Sequence, residues 1–197
     1  MPEKLTIKVK LPTNRDKTGT LELIDPFTGR AIFGPVPVLG RAAKDTATAH
    51  GNPTRNPTKS HGHTPLGKYD VQNIVTNGPG TPRTFEVYGG AGSIVLDPVA
   101  GEAATAKANG RTGLLIHAGR QPNSPTPLPL HLKTTNGCIR MLERDLATLI
   151  QKIKDNTFLF PGTVAVEVGP EGPIGGIDES AIEGDPPPTD GGDIILP

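Results

Sequence analysis

The chain has 197 residues, enough for one domain of ordinary size with an appendage. Its 25 Gly and 22 Pro argue against a mainly helical protein, since both residues break helix interiors. No apolar run reaches the roughly 18 residues that a membrane-spanning helix needs. Twenty Lys and Arg balance 20 Asp and Glu, but seven of the acids and no base fall within residues 169–197, so residues 1–168 carry a surplus of positive charge.

Taken from the start, Leu5-Thr6-Ile7-Lys8-Val9-Lys10-Leu11 alternates at the strand period. Leu21 with Leu23, and the run Ala31–Val38, predict two more strands, with Asp25-Pro26 and Thr28-Gly29 turning between them. Residues 40–63 are polar and predict a long surface loop, the kind of segment that often carries function. Strands are predicted again at Lys68–Val75, Thr84–Tyr88, Ser93–Leu96 and Gly113–His117, and residues 99–112 read as a short helix or an excursion. Residues 118–135 hold Pro122, Pro125, Pro127 and Pro129 and predict a second long loop. Leu142, Leu146, Leu149, Ile150 and Ile153 recur at helical spacing and predict a helix over 142–155. Phe158–Phe160 and Val164, Val166 and Val168 close the domain as strands.

The expected fold is therefore mainly β over residues 1–168, a sandwich or barrel-like sheet with one or two helices. Thirteen of the 29 residues in 169–197 are Gly or Pro, and that segment predicts a disordered acidic tail. A basic body attracts anionic polymers. Nucleic acid is a poor partner, because the bases are scattered and only 5 Phe and 2 Tyr are available for stacking. Met1-Pro2-Glu3-Lys4-Leu5 is followed by no apolar stretch, so no secretory signal is expected.

Cys138 is the one cysteine, which rules out an intramolecular disulfide. A lone cysteine is by default a small buried hydrophobe. Its neighbours argue for chemistry. Gly137 permits a tight backbone whose N–H groups could converge on an oxyanion. Arg140 could lower a thiol pKa or hold a carboxylate, and a predicted helix follows. Leu114-Leu115-Ile116 delivers His117 at a strand end, a rigid mount for a base. A thiol with a nearby imidazole is the minimum for a thiolate nucleophile.

These residues resemble the signature of the YkuD-type L,D-transpeptidases of peptidoglycan. His117 is followed by 17 residues and then by Thr135-Asn136-Gly137-Cys138-Ile139-Arg140. Thr64-Pro65-Leu66-Gly67-Lys68-Tyr69 matches a second mark of that family, and the resemblance covers about residues 64–168. Two positions depart from it: Asn136 stands where many members have His, and Ala118 stands where Gly often follows the first His.

The resemblance implies acyl transfer through a thioester, with no cofactor and no metal. Cys138 would attack the L,D peptide bond of a stem tetrapeptide, between the third residue, often diaminopimelate, and D-Ala. His117 would take the thiol proton and later protonate the leaving amine or activate the acceptor. Backbone N–H groups near Gly137 and Cys138 would hold the oxyanion. Arg140 would bind a carboxylate or brace the loop, and Thr135 would support His117 or substrate, with Asn136 beside them in the motif. A second stem's amine, a D-amino acid or water would then receive the acyl group.

The expected partner is the peptidoglycan stem peptide in the cell envelope, with no membrane insertion. Without an export signal, three routes are open: a trimmed chain, a cytoplasmic recycling enzyme, or an antibacterial effector delivered by a type VI-like system. The last would bring an immunity or delivery protein as partner. Two other functions compete with the enzyme. One is a non-catalytic wall-binding module on the same fold. The other is a metal-dependent peptidase using His50, His61 and His63. His131 reads as an exposed loop residue or a second base.

Overall fold

Alternation in the first strand sets the architecture. Ile7, Val9 and Leu11 are buried while Lys8 and Lys10 face solvent, so one face of the strand needs a core to cover it. The structure, a computed structural model, describes residues 4–119, 132–157 and 164–170. Among these residues the strands are β1 (Thr6–Leu11), β2 (Gly19–Ile24), β3 (Ala31–Leu39), β4 (Gly67–Val75), β5 (Ser93–Ala100), β6 (Leu115–His117), β7 (Ile139–Met141) and β8 (Ala165–Pro170). The helices are α1 (Lys44–Ala49), α2 (Phe85–Tyr88), α3 (Glu102–Ala108) and α4 (Glu143–Thr157).

The strands close into a barrel in the order β1-β2-β3-β7-β6-β5-β4-β8. Two neighbouring pairs are parallel, β6 with β7 and β8 with β1, and the others are antiparallel. The interior is filled from every side by Ile7, Val9, Leu21, Leu23, Ile94, Ile116, Ile139, Val166 and their neighbours. Helix α4 adds Leu146, Leu149, Ile150 and Ile153 to the same core, one turn apart on its apolar stripe.

The mainly β reading is what the chain adopts, with corrections. Four helices are described rather than one or two. Residues 84–88 read as a strand in the sequence. They form α2 instead: the Thr84 hydroxyl accepts a hydrogen bond from the Val87 N–H, and Gly89 ends the turn at φ 81°. The loop over 40–63 contains α1, whose Ala47 is fully buried. A strand, β7, intervenes between Cys138 and α4. Gly169 and Pro170 belong to the sheet, paired with Lys10 and Leu11. Phe158–Phe160, most of the proline-rich loop with His131, and residues 171–197 of the tail lie outside the described residues.

Leu146 has no exposure and anchors α4 in the barrel. The variant Leu146→Ala is expected to lose about 2–5 kcal/mol of unfolding free energy, read from a urea denaturation curve.

Candidate active site

The parallel pair β6–β7 places the two candidate reacting side chains. His117 pairs with Arg140, and Ile116 with Ile139. Side chains alternate along a strand, so Cys138, one residue before β7, follows the side taken by Arg140 and His117. The sulfur lies against β6: the Leu115 N–H points at it, and the thiol lies 3.7 Å from the Gly113 carbonyl, to which it donates.

The turn before the sulfur is clamped. Gly137 sits at φ 105°, in the left-handed region that favours glycine. A Cβ there would collide with the Arg111 guanidinium and the Gly62 carbonyl. The Gly137 N–H donates to the Thr135 hydroxyl at 2.9 Å, and that hydroxyl donates to the Cys138 carbonyl at 3.0 Å. From the other side, the Thr64 hydroxyl lies 3.0 Å from the Gly137 carbonyl and 3.2 Å from the Cys138 carbonyl, its one proton shared between them. Thr135 thus spends its hydroxyl on the loop backbone. The Gly137 N–H, expected as an oxyanion donor, is already taken.

Arg111 completes the clamp. It is buried and donates to the Pro57 carbonyl, to the His63 carbonyl at 2.8 Å, to the Gly62 carbonyl at 2.8 Å and to the Gly137 carbonyl at 3.4 Å. Burial lowers its pKa, while nearby Cys138, Tyr69 and Glu102 favour the charged form. Arg140 is also buried, and its guanidinium donates to the Gly119 carbonyl. That contact ties β7 to the chain just beyond His117 and takes Arg140 off the surface, where an ion-pair role would have put it.

Cys138 is half-buried and lines a cleft of about 270 Å³ together with His61, Tyr88, Arg111, Leu115 and Asn136. Burial pushes its thiol pKa up; the Leu115 N–H and the charges of Arg111, Arg140 and Arg83 pull it back. The resting group is a protonated thiol that needs a base. His117 is buried, with Nδ1 2.7 Å from the Ala118 carbonyl. A carbonyl only accepts, so Nδ1 is the nitrogen that donates in this bond. Tyr88 spans the two regions: it lines the cleft, and its ring centroid lies 5.0 Å from that of His117.

The polar loop 40–63 holds His50, His61 and His63. His63 accepts the Ala42 N–H on Nδ1 at 3.1 Å, and its pKa is lowered to about 4 by burial and by Arg55, Arg15 and Arg41. His50 and His61 stack face to face at 3.8 Å. Among the described residues no group of three or more His, Cys, Asp or Glu is placed to hold a metal ion.

Arg111, Thr64, Tyr88 and His61 shape the site, and the sequence assigned none of them to it. Thr64 could have been found, since it opens the Thr64–Tyr69 mark. That mark is a brace: the Tyr69 hydroxyl donates to the Pro65 carbonyl at 2.6 Å, and the Leu66 N–H donates to Glu102 at 2.8 Å. Arg111 follows Asn109-Gly110 and reads locally as a loop residue.

The described strands close into a β-barrel that carries a half-buried thiol in a cleft. The chain matches the L,D-transpeptidase catalytic domain, YkuD, over residues 36–168, and it belongs to that family. Two solved structures resemble it. The helical cell shape determining protein Pgp2 from Campylobacter jejuni, as its K307A mutant, is 18% identical with a TM-score of 0.50, covering 88% of this chain and 50% of that one. Pgp2 without that substitution is 18% identical with a TM-score of 0.45, covering 88% of this chain and 51% of that one. At this identity the likeness concerns the fold, and the chain spans about half the length of Pgp2. No curated protein matches the sequence.

The clamp and the half-buried imidazole of His63 each lead to an expected outcome. Gly137→Ala is expected to lower the melting temperature and slow alkylation of Cys138, because the Arg111 contact must break to admit the Cβ. The folded state holds His63 neutral with its pKa near 4, against about 6.5 when unfolded. The stability this gives is present above about pH 6.5 and is lost as pH falls toward 4. The melting temperature should drop across that window, and His63→Gln should make the drop shallower.

Proposed function

We propose that the domain is a cysteine acyltransferase that opens the L,D peptide bond of peptidoglycan stem tetrapeptides through a thioester on Cys138. The observation that supports this reading is the half-buried Cys138 thiol lining an open cleft, with the Leu115 N–H of β6, the strand that ends at His117, pointing at its sulfur. Membership of the L,D-transpeptidase family supplies the substrate class.

His117 Nε2 takes the proton from the Cys138 thiol as sulfur attacks the scissile carbonyl carbon. Arg111, Arg140 and Arg83 lower the cost of the sulfur's negative charge. The tetrahedral intermediate collapses, the C–N bond breaks, and His117 returns the proton to the departing D-Ala nitrogen. The thioester then passes its acyl group to a second stem's amine, to a D-amino acid or to water. The first outcome is a crosslink, the second an exchange and the third a shortened stem. Thr64, Thr135 and Arg111 act on this chemistry by fixing the Gly137-Cys138 backbone. The site of action is the cell envelope. Among the described residues no helix is long and apolar enough to cross a membrane.

The test uses tetrapeptide muropeptides, with and without D-Met, and mass spectrometry of the products. The wild type should release D-Ala and form a D-Met-exchanged stem. Cys138→Ala should abolish both, and His117→Ala should slow them by about 100-fold to 10,000-fold. A carbapenem should add its mass to Cys138. Activity that survives Cys138→Ala, or that a chelator removes, would overturn the proposal.

A further inference from the structure

The proposed cycle moves protons twice, and the first pass runs through His117. It takes the thiol proton and gives it to the leaving amine, so it is neutral again when the thioester stands. The acceptor nitrogen or water still has a proton to lose. A second imidazole borders the same cleft from a different element. His61 lines it with Asn136 and Cys138, and comes from the loop after α1 rather than from the sheet.

His61 is held there at some conformational cost. Its φ is 57°, a left-handed conformation unusual for a residue with a Cβ. Such strain persists where the surroundings impose it, and it clusters at functional sites. The surroundings here are specific. The ring is stacked on His50 at 3.8 Å with 4° between the planes. The next residue, Gly62, gives its carbonyl to Arg111 at 2.8 Å, the same guanidinium that holds Gly137. His61 and the cysteine turn are therefore fixed to one another through a single side chain. Nδ1 of His61 is sealed from solvent with no hydrogen-bond partner, so Nε2 is the ring nitrogen able to meet a substrate.

We propose that His61 serves the acceptor half of the reaction, taking the proton from the amine or water that resolves the thioester on Cys138. This rests on the thioester chemistry proposed above. As the acceptor's bond to the carbonyl carbon forms and the C–S bond breaks, one acceptor proton passes to His61. The departing thiolate takes one proton from solvent through His117, and His61 releases one to solvent, so the proton count closes and both rings return to their starting states. Burial, His50 and Arg111 all favour the neutral, proton-accepting ring.

The alternative is that the ring merely braces the loop by stacking on His50. Two variants separate these roles: His61→Asn suits the left-handed backbone but cannot take a proton at neutral pH, and His61→Phe keeps an aromatic ring for the stack. Purified full chain is mixed with a tetrapeptide muropeptide, and the Cys138 acyl adduct is followed by mass spectrometry, first alone and then with D-Met. Both variants should acylate at the wild-type rate, accumulate the adduct, and transfer it to D-Met about 100-fold more slowly. Transfer at the wild-type rate in both variants, equal loss of acylation and transfer, or transfer restored by His61→Phe alone would each overturn the proposal. If the wild type itself never acquires an adduct, the thioester reading fails first and this inference falls with it.

Discussion

One buried guanidinium holds the site together. Arg111 spends its donors on main-chain carbonyls from two stretches of chain that are far apart in sequence, residues 57–63 and Gly137. Burying a charge is costly unless its hydrogen bonds are made, and here they are made by the backbone that has to be positioned. The same charge lies close enough to Cys138 to favour its thiolate. Structure and electrostatics thus come from a single side chain, and Gly137 must lack a Cβ so that the guanidinium can reach its carbonyl.

The second family mark serves the same end. Thr64 reaches across to the carbonyls of Gly137 and Cys138, and Tyr69 holds Pro65 through its hydroxyl. Burial raises the Tyr69 pKa, so the phenol stays a donor. Gly67 lies so close to the Ala100 carbonyl that a side chain there would clash. Thr64 of the mark and Cys138 of the motif are 74 residues apart in the chain and belong to one braced unit in space.

Much of this was legible and some was not, for physical reasons. The alternation at Leu5–Leu11 and the helical stripe from Leu142 to Ile153 were long enough for their periods to show. Residues 84–88 were not, because five residues fit either period and the Thr84 cap decided the outcome. Strand β7, three residues long, has no period to read; its neighbours β3 and β6 define it. Cys138, Gly137 and His117 carried local signals. Arg111 and His61 did not, since their positions depend on where loop 40–63 runs after the barrel has closed.

The closure has a consequence for biogenesis. Among the described residues β8 is the last strand in chain order, yet it sits between β1 and β4 and bonds to both. On the ribosome the sheet stays unsealed until the six residues of β8 emerge. Until then β1 and β4 each present a bare edge, and a bare edge is open to pairing with another chain. A nascent copy therefore stays vulnerable to mispairing until β8 has emerged, and the cleft reaches its working shape only after the barrel has closed.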